Sequence, residues 1–289
     1  MKIATNGVEL EVDVRGSGPP VVLIMGIGTQ LVHWPEPFCD ALAARGHTVI
    51  RFDNRDMGCS SRLDHLGVPD LKVMVARALV GLRNTAPYTL SDMAADVVGL
   101  LDALGHERAH VAGISMGGMV AQTLAIEHPG RVRSLTSINS TTGDRRFVGQ
   151  PKALSALFSK RPSSRDSIPD FAVHIMRTLS TPRYPCDEDD VRRTALVAYD
   201  RGNNPAGFIR QFGAIMASGS RAKRLRSVRS PTLVLHGSDD PLIPLAAGRA
   251  TAEAIPGARL RVVEGMGHVF NRSLWPTLVE AIADSAADA

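Results

Sequence analysis

The sequence predicts an α/β fold, in which a mostly parallel β-sheet is flanked by helices and carries a helical insertion. Strand and helix patterns alternate from the start of the chain to about residue 142, and the alternation resumes at Pro231. The residues between these parts show helical periodicities that five prolines interrupt. These are Pro162, Pro169, Pro182, Pro185 and Pro205.

The chain is long enough for one large domain with an insertion. It has 289 residues, of which 44% are hydrophobic, so it can bury a sizeable core. We expect residues 1–142 and 229–289 to form one catalytic core. We expect residues 143–228 to form a helical cap, inserted between strands six and seven, that covers the carboxyl ends of the strands.

The strands are predicted from their apolar patterns. Val8–Val14 alternates apolar and polar residues, as a half-buried strand does. Further along the chain, short apolar runs are typical of buried strands in a parallel sheet. These runs begin at or near Val21, Thr48, His110, Leu135, Pro231 and Ala258.

Two helices before the insertion follow from periodicity. Thr89–Leu101 is amphipathic and is expected to be capped by Ser91 or Thr89. The apolar stretch Leu71–Leu82 is also expected to be helical. It packs beneath the cap, lies on a membrane surface or forms a dimer contact; packing is favoured, because apolar periodicity usually reports burial.

A possible nucleophile follows the strand near His110. Gly113-Ile114-Ser115-Met116-Gly117 stands between this apolar run and an apolar helical pattern. On a sharp turn from strand to helix, a serine hydroxyl is exposed, and residues two before and two after it must be small. Ser115 is therefore the candidate nucleophile, with Gly113 and Gly117 as the glycines of the turn. An ordinary glycine-rich turn is the alternative, so partners are needed elsewhere.

Those partners occur in later loops. Gly237-Ser238-Asp239-Asp240-Pro241 and Glu264-Gly265-Met266-Gly267-His268 each follow a predicted strand. A serine hydroxyl needs a neutral imidazole as base, and the imidazole needs a carboxylate to orient it. His268 is the candidate base and Asp240 the candidate acid, with Asp239 as the alternative acid. His236 is a rival base, but it lies within a strand, as a packed core residue would.

The loop after the third strand is the candidate oxyanion hole. Val21–Ile24 is followed by Met25-Gly26-Ile27-Gly28, where glycines allow backbone N–H groups to approach a ligand. The expected donors are the amides of Ile27 and Met116. A phosphate-binding loop is disfavoured, because neither of the two common glycine-rich nucleotide motifs is present there.

These motifs together resemble the α/β-hydrolase superfamily, and the resemblance covers nearly the whole chain. The turn Asp53-Asn54-Arg55-Asp56-Met57-Gly58-Cys59-Ser60 is similar to the family pattern D-x-R-G-x-G-x-S, with Asp56 in place of the first glycine. The turn, the Met-Gly before the oxyanion loop and the Gly-Met-Gly-His loop look most like the branch that contains aclacinomycin methylesterase. The resemblance implies an eight-stranded sheet and hydrolysis through an acyl-enzyme, with no cofactor or metal.

The expected function is that of a serine hydrolase of the carboxylesterase type acting on an uncharged, largely apolar small-molecule ester. Adaptable methionine side chains near the triad support an apolar pocket. The alternatives are a carbon–carbon bond hydrolase or lactonase with the same triad, or a hydrolase-like receptor with slow turnover. The residues expected to line the pocket are Met25, Gly26, Gly28, His33, Trp34 and Met266.

Composition disfavours several other classes. Net charge is only +4, and the densest basic group, within residues 221–229, lacks interleaved aromatic residues, which argues against nucleic-acid binding. Three cysteines without paired spacing argue against a disulfide framework or a zinc site, and a reducing cytoplasm fits best. No signal peptide or membrane span is expected. The sequence makes no prediction about the oligomeric state.

Overall fold

Eight strands form one sheet in the computed structural model, which describes residues 1–287. The strands are β1 (Lys2–Thr5), β2 (Val8–Gly16), β3 (Pro20–Ile24), β4 (Thr48–Phe52), β5 (Ala109–Ile114), β6 (Val132–Ile138), β7 (Thr232–Gly237) and β8 (Arg259–Val263). Their order in the sheet is β1-β2-β4-β3-β5-β6-β7-β8. β2 pairs antiparallel with β1 and β4, and all other pairs are parallel. The predicted fold class is confirmed.

The sheet is flanked by α-helices. They are α1 (Glu36–Ala43), α2 (Leu71–Leu79), α3 (Leu90–Ala103), α4 (Met116–Glu127), α5 (Pro151–Leu157), α6 (Ile168–Leu179), α7 (Glu188–Arg201), α8 (Pro205–Ser218), α9 (Leu245–Ala254) and α10 (Trp275–Ala287). Short 3₁₀ helices cover Leu31–His33, Asp64–Leu66, Pro129–Arg131, Arg165–Ser167, Arg224–Ser227 and Arg272–Leu274. Within the described residues, none of the helices combines the length and the apolar character that a membrane crossing requires.

The core lies on both faces of the sheet. Successive side chains of a strand point to opposite faces. In β3, Val22 and Ile24 therefore pack into one hydrophobic cluster with α3 and α4, whereas Val21 and Leu23 pack into another with α1 and α10. All five residues of β3 are buried, which explains its continuous apolar run.

The sequence analysis predicted a strand at Val8–Val14, which is part of β2, but did not predict β1 or the hairpin that the two strands form. Its connection is Asn6-Gly7, and both residues have positive φ, of 45° and 75°. Such a two-residue turn matches the twist of paired antiparallel strands, and Asn-Gly is its preferred sequence. The dipeptide was therefore a usable indication of the hairpin.

Two helix predictions can be compared with the structure. Of the two proposed caps of α3, Thr89 is the N-cap: its hydroxyl accepts from the Asp92 amide, and the Asp92 carboxylate accepts from the Thr89 amide at 2.7 Å. The stretch Leu71–Leu82, expected to be helical, forms α2 over Leu71–Leu79 and then continues as a turn. Its Met74 is buried, with α8 packed against the helix, whereas Val73 and Val75 are exposed.

The segment of α5–α8 lies between β6 and β7 and is joined to the rest of the chain by buried polar contacts. Asp56 has φ of 70°, a value that favours glycine, which is the residue usual at this place of the family pattern. Its carboxylate accepts from Arg210 Nε at 2.8 Å, from Arg210 Nη2 at 2.7 Å and from the Tyr88 hydroxyl at 2.8 Å. Arg201 of α7 similarly donates to Asp53 at 2.6 Å. The departure at Asp56 thus supplies the counter-charge for an arginine of α8.

Candidate active site

Ser115 stands between β5 and α4 in a strained backbone conformation. Its φ and ψ are 56° and −119°, outside the regions that most residues with a side chain occupy. The conformation is held from both sides, because the Ser115 amide donates to the Ile138 carbonyl at 2.9 Å and the Ser140 hydroxyl donates to the Ser115 carbonyl at 2.8 Å. Such strain persists only where the surroundings fix it, and it is common at catalytic positions.

Close backbone packing explains why both Gly113 and Gly117 are glycines. A Cβ added to Gly113 would lie 2.2 Å from the Gly117 carbonyl oxygen, and a Cβ on Gly117 would lie 2.0 Å from the Ile24 carbonyl oxygen. These partners are backbone atoms, which cannot move aside as a flexible side chain can. Both positions therefore require glycine if the turn is to keep this shape.

His268 and Asp240 form a direct hydrogen bond. The distance from His268 Nδ1 to Asp240 Oδ2 is 2.7 Å, and the Asp240 side chain is fully buried. The other carboxylate oxygen of Asp240 accepts from the amides of Leu242 and Ile243, each at 2.8 Å. Asp240 is thus fixed by three donors, and its second oxygen is directed at the imidazole. The His268 amide donates to the Leu179 carbonyl at 2.9 Å, which holds the loop against α6.

The structure separates these two residues from their rivals. The Asp239 carboxylate accepts from the neighbouring Ser238 hydroxyl, whereas the His268 ring is bonded to Asp240. His236 is fully buried in β7, its Nε2 is bonded to the Ile243 carbonyl at 2.8 Å, and burial lowers its pKa. His236 is a packed core residue, and Asp240 is the acid that faces the loop histidine.

The loop after β3 passes beside the Ser115 hydroxyl. A Cβ on Gly26 would lie 3.4 Å from Ser115 Cβ and 4.0 Å from Ser115 Oγ. Among residues 1–287, none accepts a hydrogen bond from the Ile27 amide. Met116 is the first residue of α4, so its amide has no acceptor inside the helix. Both amides are therefore available for a ligand oxygen.

Ser115 and His268 line one cavity of about 320 Å³, between the carboxyl ends of the strands and the α5–α8 segment. Met25, Gly26, Gly28 and His33 of the predicted pocket also line it. Much of the remaining lining is apolar and comes from α5, α6 and α7, within the segment that the sequence analysis expected to form a cap, although it named none of these residues. These residues include Leu157, Ile168, Phe171, Ile175, Met176, Leu179, Val191, Ala195 and Ala198.

Two predicted pocket residues lie elsewhere, and the expectation is corrected for them. Trp34 is fully buried in the core, where its ring packs at 5.4 Å from Phe38 and at 4.9 Å from Phe270. Met266 is also fully buried, and its carbonyl lies against Gly237 at the end of β7. Both side chains pack into the same hydrophobic cluster of the core, which buries their large apolar surface.

His33 supplies a neutral polar group to the cavity. The Gln30 amide donates to its Nδ1 at 3.1 Å, and burial lowers the pKa of His33 to about 4. Two arginines, Arg161 and Arg201, lower it further by repulsion. In the described part of the chain, no group of three or more histidine, cysteine, aspartate or glutamate side chains is placed to hold a metal ion.

The chain matches a known family over most of its length. The family described as alpha/beta hydrolase fold matches residues 19–271, which is most of the chain. The chain belongs to this family. The resemblance to this superfamily that the sequence analysis stated is confirmed.

Curated relatives of the chain are hydrolases. Rhodomycin D methylesterase DnrP from Streptomyces peucetius is 28% identical, over 91% of this chain and 89% of that protein. A putative carbamate hydrolase, RutD from Variovorax paradoxus, is 31% identical, over 94% of this chain and 96% of that protein. The methylesterase is a relative of the kind that the sequence analysis singled out.

Solved structures share the fold. The enol-lactonase from Burkholderia xenovorans LB400 superposes with a TM-score of 0.73, at 23% identity, over 99% of this chain and all of that chain. At this sequence identity, the similarity shows a shared fold alone. It leaves the substrate of the present chain to be argued from its own cavity.

Proposed function

We propose that the protein is a carboxylic-ester hydrolase in which Ser115, His268 and Asp240 act as nucleophile, general base and orienting acid. The observation that carries this proposal is the 2.7 Å hydrogen bond from the His268 ring to buried Asp240, in a loop that shares its cavity with Ser115. The methylesterase and carbamate hydrolase relatives support hydrolysis of this kind.

In the acylation step, Ser115 Oγ forms a bond to the ester carbonyl carbon and its proton passes to His268 Nε2. Asp240 holds the Nδ1 proton and stabilises the imidazolium that results. The negative charge on the former carbonyl oxygen is placed to accept from the Ile27 and Met116 amides. Collapse of this intermediate breaks the bond to the alcohol oxygen, which takes the proton from His268 and leaves an acyl-serine.

Deacylation repeats these roles with water. A water molecule gives a proton to His268 Nε2 as its oxygen attacks the acyl-serine carbonyl. The second intermediate collapses to release the carboxylic acid, and the proton returns from His268 to Ser115 Oγ. Every proton is carried by the imidazole, so the cycle needs no cofactor or metal.

We also infer that residues 143–228 act as a cap that shapes the substrate pocket. The apolar lining contributed by α6 and α7 supports a substrate whose body is largely apolar. The buried pairs of Arg201 with Asp53 and of Arg210 with Asp56 support a cap that is held in a defined position.

A cytoplasmic location is consistent with the state of the cysteines. Cys39, Cys59 and Cys186 are all free thiols, and Cys39 is buried in the core. Free thiols are the usual state in a reducing compartment. We therefore propose that the protein works in the cytoplasm.

Replacement of the nucleophile tests the proposal. Ser115→Ala should lower kcat for a p-nitrophenyl ester by at least about 10⁴-fold, because the remaining groups cannot form the acyl-enzyme. The melting temperature should not fall, since the change removes a hydroxyl from a strained position. Steady-state turnover of the variant within tenfold of the wild-type protein would refute the role of Ser115.

A substrate panel separates the ester reaction from its alternatives. We expect aryl and alkyl esters to be hydrolysed faster than lactones or β-diketones of similar size, with many turnovers per protein. A preference for lactones or diketones would move the assignment to those reactions. One acyl group released per protein, followed by a stall, would favour a receptor with slow turnover.

A further inference from the structure

Arg161 is a charged residue of the cavity for which the described part of the chain supplies no counter-charge. It lies between α5 and the 3₁₀ helix at Arg165–Ser167, and it lines the cavity together with Ser115 and His268. Within the described chain, no carboxylate pairs with its guanidinium and no oxygen accepts a hydrogen bond from it. The arginines that join α7 and α8 to the core each have a buried aspartate partner instead.

The position of Arg161 is fixed by packing. Its Cζ atom lies 5.1 Å from the centre of the Phe208 ring, a cation–π contact that consumes none of its N–H donors. A Cβ on Gly28 would lie 2.8 Å from Arg161 Nη2 and 2.6 Å from Phe208 Cδ2. Because Gly28 has φ of 68° and no side chain, the oxyanion loop can approach the guanidinium closely. The donors are thus held in place and left unused.

The other charged groups of the cavity do not compensate Arg161. Asp190 is among the lining residues, but it pairs with Arg193 at 2.7 Å and its side chain is 44% exposed. His33 is neutral at physiological pH, since its pKa is lowered to about 4. Among the described residues that line the cavity, Arg161 therefore carries a positive charge without a carboxylate partner.

Arg161 is half-buried at the cavity wall, beside the Phe208 ring. Partial removal from water already disfavours an ion, and pairing with an oppositely charged ligand offsets that cost. Burial lowers the pKa of the Arg161 guanidinium, although arginine remains protonated near neutral pH. A planar guanidinium with free donors matches the two oxygens of a carboxylate.

We propose that Arg161 binds a carboxylate of the substrate, so that the preferred substrate is an ester that also carries a free carboxylate. This inference rests on the proposed ester hydrolysis and names its substrate class. It revises the expectation of an uncharged ester at one end of the molecule, whereas the apolar lining still accommodates the rest.

The loop after β3 sets the spacing between the two ends of such a substrate. Gly26 lies beside Ser115 and Gly28 lies beside Arg161, and two residues of chain span at most about 7 Å. The reacting carbonyl and the bound carboxylate are therefore separated by a short chain. Half-esters of small dicarboxylic acids, such as monomethyl adipate, fit this description, and dimethyl adipate is the matched ester without a charge.

Binding to an inactive protein tests the proposal without relying on catalysis. In the Ser115→Ala background, calorimetry should show monomethyl adipate binding more tightly than dimethyl adipate. Adding Arg161→Gln should raise Kd for the monomethyl ester about tenfold to a hundredfold, the loss expected for a charge-assisted hydrogen bond, and change Kd for the dimethyl ester less than about threefold. Arg161→Lys should restore part of the difference.

Arg165→Gln is the matched control, because it removes the same charge from the same segment. Arg165 pairs with Asp200 at 2.6 Å outside the cavity, so its loss should leave both Kd values unchanged. A purely structural role of Arg161 predicts that Arg161→Gln lowers the melting temperature. Removal of an uncompensated charge should instead leave it unchanged or raise it.

Turnover by the protein with Ser115 intact distinguishes failure of this inference from failure of the proposed function. We expect kcat/KM to be higher for monomethyl than for dimethyl adipate, and Arg161→Gln to remove that preference. Equal affinity for the two esters, no measurable binding of the monomethyl ester, or the same Kd change in Arg165→Gln would overturn the role of Arg161. Absence of turnover with the binding preference intact would refute ester hydrolysis and leave the carboxylate site standing.

Discussion

Asp240 differs from its neighbour Asp239 in what its carboxylate contacts. It accepts two backbone hydrogen bonds on one oxygen and the His268 imidazole on the other, whereas Asp239 bonds to a hydroxyl at the surface. A carboxylate fixed in this way determines which ring nitrogen of the histidine carries the proton. The other nitrogen, Nε2, is then left free to accept the proton of the serine.

Asparagine at position 240 should therefore be far more damaging than asparagine at position 239. We expect Asp240→Asn to lower kcat by about 10⁴-fold, because the amide favours the wrong tautomer of His268. Asp239→Asn is the matched control and should change kcat less than about fivefold. Steady-state kinetics of the two purified variants provides the comparison, and the reverse ranking would assign the orienting role to Asp239.

The turn from β5 to α4 depends on close backbone packing. Gly117 sits against the Ile24 carbonyl of β3, and Gly113 sits against Gly117 itself, so three elements meet with no room for a side chain. The strain at Ser115 is maintained by this packing together with the bonds to Ile138 and Ser140. The nucleophile is presented by the junction of strand and helix.

A methyl group at this junction should destabilise the fold. We expect Gly117→Ala to lower the free energy of unfolding by about 2 to 3 kcal/mol, since a Cβ would lie 2.0 Å from a backbone oxygen. Gly130→Ala is the control, because a Cβ there meets no atom within 4 Å, and its effect should stay within about 1 kcal/mol. Urea denaturation measures both, and equal values would contradict the steric explanation.

Elements with a strong local pattern could be predicted from the sequence, and others could not. The buried strands β3 and β5 and the helix α3 have patterns complete within a few residues. The turn at Gly113–Gly117 could be predicted because the close backbone packing requires glycine at both positions, and glycine is visible in the sequence. β1 was missed because a strand of four residues is too short to show a clear alternation of apolar and polar residues. The Asn-Gly turn that follows it could have indicated the hairpin.

The placement of Trp34 and Arg161 depends on contacts between distant parts of the chain. Trp34 packs on Phe270, and Arg161 packs on Phe208 and Gly28, partners that no local pattern relates. The sequence could thus indicate that a pocket forms near the triad, but not which side chains face it. The sequence analysis therefore placed Trp34 in the pocket because it follows the oxyanion loop in the chain, and it did not identify Arg161.

At the scale of the whole molecule, the buried pair of Arg210 and Asp56 joins the α5–α8 segment to the sheet. Both side chains are fully buried, and the pair joins α8 to the turn after β4. Two N–H groups of the guanidinium bond the two carboxylate oxygens, and Tyr88 gives a third bond. Loss of Arg210 would leave the Asp56 carboxylate buried without its cation.

Arg210→Met should accordingly lower the free energy of unfolding by about 3 to 5 kcal/mol. Arg224→Met removes an arginine from a solvent-exposed pair with Glu127 and should cost no more than about 1 kcal/mol. Chemical denaturation of the two variants tests the difference. A similar small effect for both would show that the buried pair does not hold α8 in place.

Covalent labelling most directly tests whether Ser115 is the nucleophile. A fluorophosphonate forms a bond to an activated serine oxygen and releases fluoride, so intact-mass and peptide-mapping mass spectrometry should find one adduct per protein, on Ser115. Ser115→Ala should take up no label, and Asp240→Asn should be labelled much more slowly. An adduct on a different serine, or full esterase activity in protein whose Ser115 is labelled, would contradict the proposed mechanism.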